Sequence, residues 1–232
     1  MYNICGIITP EVLIKVESGQ PIIDEITKHE ESLSYFRYLE IRYDLFNKDE
    51  WQTLIPRVRK FVPDVKIIGT FRIERDGGKL KDIDIFETIK SWSETELPDL
   101  IDVPYDDLSK YKDKIDKYKI LLSKHDFEKI PNIEFFDKFI KDAQDIGVFG
   151  IKFAGYTEDS KDYNRVYNFT KKSEDKFKLV AGFVMGERNK ETRAICTEHG
   201  ANLVYTCIDK PIMPGQYTRL EYLNTWYELI II

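Results

Sequence analysis

Two side chains in this sequence pair a reactive group with a setting that gives it chemistry to do. Lys152 lies in the run Val148-Phe149-Gly150-Ile151-Lys152-Phe153-Ala154, which is otherwise apolar and has the composition of a strand. Alternation puts Phe149, Ile151 and Phe153 on one face and Val148, Gly150, Lys152 and Ala154 on the other, so the ammonium group sits among small residues. Lysine is rarely buried without a partner, and an amine confined in a site is a nucleophile toward carbonyl carbon. On this stretch alone, a lysine at a strand end that reaches solvent is the simpler alternative.

His125 comes near the end of Leu121-Leu122-Ser123-Lys124-His125-Asp126, where Ser123 and His125 share a face. Sequential strands pair at about 5 Å, so an imidazole ending one strand beside an amine on the next is a base next to a nucleophile. His29 and His199 fall in helical or loop contexts and read as structural. The same parity sets Glu40 and Arg42 against Leu39, Ile41 and Tyr43, and Thr70 and Arg72 against Ile67 and Phe71.

These residues need elements to hold them. Strand-like runs are read near 3–8, 36–42, 65–72, 99–104, 118–124, 148–154, 178–185 and 202–207, with helical patterns between them. The clearest helices are 49–62, from Trp51, Leu54, Ile55, Val58 and Phe61, and 131–143, from Ile133, Phe136, Phe139, Ile140 and Ala143 with Pro131 in the first turn. Eight strand–helix units without a linker in 232 residues predict an α/β chain folded as one (β/α)8 TIM barrel over residues 1–232. Functional groups of such barrels lie at the C-terminal strand ends, where His125 and the arginines fall.

Composition narrows the partners. The net charge of −6 argues against nucleic acid or an anionic membrane as the main partner, while leaving small anionic substrates open. Three cysteines without a CxxC pair signal neither a disulfide framework nor a zinc site, and no metal or cofactor is expected. The first residues lack a signal-peptide pattern and no run has the length of a membrane span, so a cytoplasmic protein is expected. Ser109 to Lys119, with Asp113 and Asp116 among its lysines, reads as a solvated helix face. The tail Leu229-Ile230-Ile231-Ile232 reads as the docked end of a last helix or a partner contact.

Taken together, six collinear pieces make the chain resemble the type I 3-dehydroquinate dehydratase family over essentially its whole length. They are Glu40-Ile41-Arg42-Tyr43-Asp44, Thr70-Phe71-Arg72 followed by Gly77-Gly78, Ser123-Lys124-His125-Asp126-Phe127, Ile151-Lys152-Phe153-Ala154, Met185-Gly186 with Arg193, and Pro214-Gly215-Gln216. The resemblance implies dehydration of 3-dehydroquinate to 3-dehydroshikimate, a shikimate-pathway step toward aromatic amino acids, through an imine on Lys152 with His125 as acid and base. It implies that Arg193 clamps the substrate carboxylate, that Glu40, Arg42 and Arg72 line the site, that Gln216 belongs to a closing loop, and that the protein is a homodimer. The positive field of the lining arginines is further expected to disfavour protonation of Lys152.

Departures from the pattern mark a divergent member. Where the family has a glutamate that orients the histidine, this chain has Asp76, with Glu74 as a substitute, and Ile212 replaces a serine of the closing loop. Glu40 with Arg42 has a second reading as a supporting ion-pair layer, and Asp44 and Asp126 read as loop caps. Two other functions stay open: a Schiff-base aldolase, disfavoured by poor phosphate-binding loops after strands 7 and 8, and a catalytically silent barrel, motivated by Asp76 and Ile212.

Overall fold

The computed structural model describes residues 2–114 and 117–231. Eight parallel strands form one sheet: β1 (Asn3–Ile8), β2 (Tyr38–Arg42), β3 (Lys66–Thr70), β4 (Leu100–Pro104), β5 (Ile120–Asp126), β6 (Gly150–Tyr156), β7 (Leu179–Met185) and β8 (Leu203–Cys207). One α-helix follows each strand: α1 (Pro10–Glu17), α2 (Trp51–Arg59), α3 (Ile85–Ile89), α4 (Leu108–Tyr111), α5 (Ile133–Ile146), α6 (Tyr163–Ser173), α7 (Thr192–Glu198) and α8 (Arg219–Trp226). Sequential strands pair in order from β1 to β7, and β8 returns to pair with β1. This is the (β/α)8 barrel expected from the alternation.

The last gap is narrowed rather than laddered. Between β7 and β8, Asn202 N–H bonds the Val180 carbonyl and Val180 N–H bonds Asn202 Oδ1, both at 2.9 Å, and Asn202 Nδ2–H bonds the Lys178 carbonyl at 3.2 Å, so one residue stitches the seam at its N-terminal end. A small antiparallel hairpin, Ile22–Ile23 with Glu30–Glu31, lies outside the barrel sheet; its strands are too short for a periodicity to announce them.

Parity explains how the barrel positions its chemistry. Outward residues such as Leu39, Ile41, Ile67, Ile101, Val103, Leu122, Ile151 and Phe153 join the main core under the helices. Inward residues change character along the barrel axis. Tyr38, Ile68, Leu100, Leu121 and Leu179 pack as an apolar plug, and two residues further along the same strands come Glu40, Thr70, Asp102, Ser123 and Ala181. The plug supplies a dry floor, and the next layer carries the charges.

Several sequence expectations need correction. Phe149 precedes β6 and packs against the inner plug instead of sharing the outer face with Ile151 and Phe153, because the regular alternation starts only at Gly150. There a side chain would meet Leu179 backbone and side chain at 2.8 Å. Pro131 stands before the helix: Asn132 caps α5 by accepting from Phe135 N–H, and Ile133 is exposed. Phe61 lies beyond the end of α2 and is also exposed. In the tail, Tyr227–Ile231 forms a π-turn in which Leu229 is exposed, while Ile232 and Asp116 lie outside the described residues. Cys5, Cys196 and Cys207 are free and buried, and no described helix is long and apolar enough to cross a membrane.

Candidate active site

Strand register brings the polar layer together at the C-terminal end of the barrel. Arg42 pairs with Thr70, Thr70 with Asp102, Ser123 with Lys152, and His125 with Ala154. Glu40, Arg42, Arg72, Asp76, His125, Lys152, Arg193 and Gln216, all singled out from sequence, line one cavity of about 60 Å³.

Lys152 is 4% exposed. Its Nζ lies 3.5 Å from Asp102 Oδ2 and 3.6 Å from Glu40 Oε1, and 3.9 Å above the centre of the Tyr205 ring. The nearest charges are therefore carboxylates, not the arginines expected from sequence. Glu40 also accepts from Thr70 Oγ1 at 2.7 Å and makes no pair with Arg42, so the ion-pair layer reading of these two residues does not hold. Arg42 instead grips Asp44 through two bonds of 2.7 and 2.8 Å. Asp44 is buried and also accepts from Lys79 N–H, so it braces an arginine and a neighbouring loop rather than only capping its own. Asp126 does cap its loop, accepting from Glu128 and Lys129 N–H.

Asp102 is the hub that sequence reasoning passed over. It accepts from Arg72 Nη2 at 2.9 Å, from Ser123 Oγ at 2.7 Å and from Lys152 Nζ at 3.5 Å. Burial works against its charge, but Arg72, Lys152 and the Ser123 hydroxyl outweigh burial and hold its carboxyl below the usual range. Burial likewise opposes the Arg72 charge, which Asp102, Glu40 and Asp76 restore and strengthen.

The other face of Arg72 meets the histidine: Nη1 lies 3.3 Å from both Ser123 Oγ and His125 Nδ1. A guanidinium only donates, so Nδ1 is the acceptor and the neutral ring carries its proton on Nε2. Desolvation, then Arg72, Lys152, Arg42 and Lys124, push His125 well below the ordinary imidazole value. Of the two carboxylates considered as orienting groups, Glu74 is exposed, whereas Asp76 is buried in the cavity wall. Its Oδ2 has no hydrogen-bond partner, although Arg75 Nη2 stands 3.5 Å away, and burial raises its pKa. His29 and His199 are away from the site, the first bonded to the Thr27 carbonyl and the second stacked on Tyr167.

The opposite wall is cationic and unpaired. Arg193, on α7, is 6% exposed, stacks 3.7 Å over Phe183 and donates Nε–H to the Gly215 carbonyl at 2.8 Å. Among the described residues no carboxylate lies within ion-pair distance of it, and burial lowers it to about 10. A buried cation without a counter-ion, open to a cavity, is a seat for an anion.

The loop after β8 closes the top. Gly215 has φ +75°, and a Cβ there would stand 2.3 Å from the Gly186 carbonyl oxygen. Gly215 N–H also bonds Glu187 Oε2, so this loop is latched to the one after β7. Ile212 loses the hydroxyl a serine would bring, yet its backbone N–H donates to Gln216 Oε1 and its side chain packs on the inner plug. That leaves the Gln216 Nε2 hydrogens for the cavity. Ile212 and Met213 also line an adjoining outer groove of about 390 Å³, which makes them the wall between chamber and exterior.

The family model described as Type I 3-dehydroquinase matches residues 12–231. A 3-dehydroquinate dehydratase of Methanococcus maripaludis (strain C6) is 30% identical over 224 residues, covering 90% of this chain and 98% of that protein. The chloroplastic bifunctional 3-dehydroquinate dehydratase/shikimate dehydrogenase of Arabidopsis thaliana is 30% identical over 135 residues; the match covers 55% of this chain and 22% of that longer protein. Among solved structures, the type I 3-dehydroquinate dehydratase of Clostridium difficile with covalent modified comenic acid aligns with TM-score 0.80 at 21% identity. That alignment covers 98% of this chain and 92% of the other, and at that identity it speaks for the barrel alone.

Proposed function

The chain belongs to the type I 3-dehydroquinase family of lyases, and from that premise we propose that it dehydrates 3-dehydroquinate to 3-dehydroshikimate through an imine on Lys152, as a step of the shikimate pathway. The observation that carries the reading is the pairing of a buried lysine and an adjacent imidazole with the counter-ion-free Arg193 in one cavity. An amine that captures a ketone, a base that moves protons next to it and an anion seat are what this substrate requires.

The steps balance on these groups. Neutral Lys152 adds to the C3 ketone, and loss of water gives an iminium whose electron demand acidifies the C2 proton. His125 removes that proton, the electrons move into an enamine, and His125 returns the proton to the C1 hydroxyl as it leaves as water. Water then hydrolyses the iminium, freeing product and Lys152. The net change is the loss of one water. Arg193 holds the carboxylate, Gln216 donates Nε2–H to a substrate oxygen, and Glu40, Arg42 and Arg72 hold the hydroxyl side of the ring.

His125 needs its accepting nitrogen toward substrate, and Arg72 occupies Nδ1. Catalysis therefore requires Arg72 to release Nδ1 when substrate arrives, with Asp76 as the group that takes the ring N–H. Asp76 lines the same cavity with an Oδ2 that makes no hydrogen bond, and a carboxylate accepting N–H fixes the tautomer with the free nitrogen outward. The protein is further read as a homodimer, which sedimentation velocity tests directly.

Incubation with 3-dehydroquinate, borohydride reduction and peptide mass spectrometry test the central step. A reduced adduct on Lys152 is expected, together with enone absorbance from the product, and Lys152→Ala removes both while Asp76→Ala slows turnover less. An unlabelled Lys152 with no enone would sink the reading. Labelling without enone would instead favour another Schiff-base reaction of this barrel.

A further inference from the structure

Tyr205 lies in β8, in register with Cys5 of β1, with its ring in the apolar plug beneath the charged layer. The ring presents its face to Lys152, whose nitrogen is 3.9 Å from the centroid. Its hydroxyl is buried and makes no hydrogen bond. Burial, then the Glu40, Cys5 and Asp102 charges, push the phenol well above its ordinary value, so it stays protonated. The hydroxyl thus neither anchors the ring nor transfers a proton, and the π face is the part of Tyr205 that meets the site.

The other groups around the nitrogen have second tasks. Glu40 also accepts from Thr70, and Asp102 from Arg72 and Ser123, so each carboxylate is shared. The ring face has one neighbour of this kind. Capture of a carbonyl by the amine places a fixed positive charge on the nitrogen as the iminium, above that face. An aromatic face attracts such a cation through its quadrupole, most strongly where water is excluded.

We propose that Tyr205 is the positioning residue for the Lys152 nitrogen: its ring face sets the height of that nitrogen in the barrel and stabilises the iminium over the free amine. The proposal rests on the imine reading given above and adds to it a residue that acts through Lys152.

The test uses the full chain with Tyr205→Leu, Tyr205→Phe, and Tyr205 replaced by pentafluorophenylalanine, which keeps the ring shape and reverses its quadrupole. Each protein is incubated with 3-dehydroquinate and reduced with borohydride, the fraction trapped at Lys152 is read by intact mass, and kcat and KM are measured. Trapping and kcat are expected to fall roughly tenfold in the leucine and pentafluoro proteins, and phenylalanine to restore them. KM is expected to change less than kcat, since the groups assigned to the substrate carboxylate and hydroxyls are untouched; a purely structural defect would not separate the two fluorination states. Equal trapping in the phenylalanine and pentafluoro proteins overturns the proposal, as does a phenylalanine protein as impaired as the leucine one. The pentafluoro protein decides the matter even where leucine does not fold. A wild-type protein that forms no adduct overturns the imine reading and this proposal with it, whereas a wild-type adduct with undiminished variants overturns this proposal alone.

Discussion

Ser123 and Lys152 stand opposite each other in direct register across β5 and β6, and both donate to the carboxylate of Asp102 on β4. Three neighbouring strands thus meet on one acceptor, and Arg72 extends the connection to His125. The amine and the imidazole are held by one network, so a change at its centre is felt by both.

Replacing Asp102 by asparagine therefore has two effects. Arg72 and Lys152 lose their shared anion inside the barrel, which is expected to cost about 3–5 kcal/mol of stability. The misplaced amine and imidazole are expected to lower kcat roughly a hundredfold. Urea unfolding and steady-state kinetics measure the two; a variant as stable and active as the parent would remove Asp102 from the role of hub.

Arg193→Lys keeps a positive charge while losing the planar fork, the stack on Phe183 and the Nε bond to Gly215. The expected outcome is a rise in KM for 3-dehydroquinate of roughly tenfold or more with a smaller change in kcat. A variant with the KM of the parent would show that the substrate carboxylate sits elsewhere.

His125 makes a pH prediction. Its folded-state pKa lies well below the ordinary imidazole value of 6.5, so between that value and the lower folded one the unfolded chain binds more protons. Stability contributed by His125 is fully present above the unfolded pKa and is lost as pH falls through the window beneath it, by up to about 1.4 kcal/mol per pH unit. Asp76 has the opposite sign over its own window above 3.8, because its folded pKa is raised. The difference in unfolding free energy between the parent and His125→Gln, followed from pH 7 to 5, isolates the histidine and is expected to shrink with acid. The acid limb of kcat/KM is expected below the ordinary imidazole range, and a limb at about 6.5 would contradict the depressed value.

Much of this site is legible in sequence because the barrel turns parity into position. Lys152, His125, Arg72 and Glu40 each break an apolar alternation on the inward phase, and the structure puts all four on one cavity. Asp102 breaks it in the same way between Ile101 and Val103, so a signal was present. A lone carboxylate in a strand reads equally well as an edge group in water, and nothing local says that three donors converge on it. The Arg72 contact to His125, the Asp44 brace on Arg42 and the face of Tyr205 under Lys152 depend on side-chain direction across strands, which spacing along one strand does not encode. Tyr205 in particular reads as one more aromatic in a strand and is told apart only by what lies above it.

The stitched seam between β7 and β8 has a consequence for how the molecule assembles. Strands β1 to β7 each pair with their predecessor in sequence, so the lysine, the histidine and their hub lie on neighbouring strands of one continuous stretch of chain. Closure instead requires Asn3 to find Leu203, a contact between distant parts of the sequence that costs most of the loop entropy. Gln216 follows β8, and the Arg193 guanidinium leans on the Gly215 carbonyl, so the anion seat takes its final form only after that last strand has docked. Assembled in that order, the chain would bring Lys152 and His125 together before the setting of Arg193 is complete.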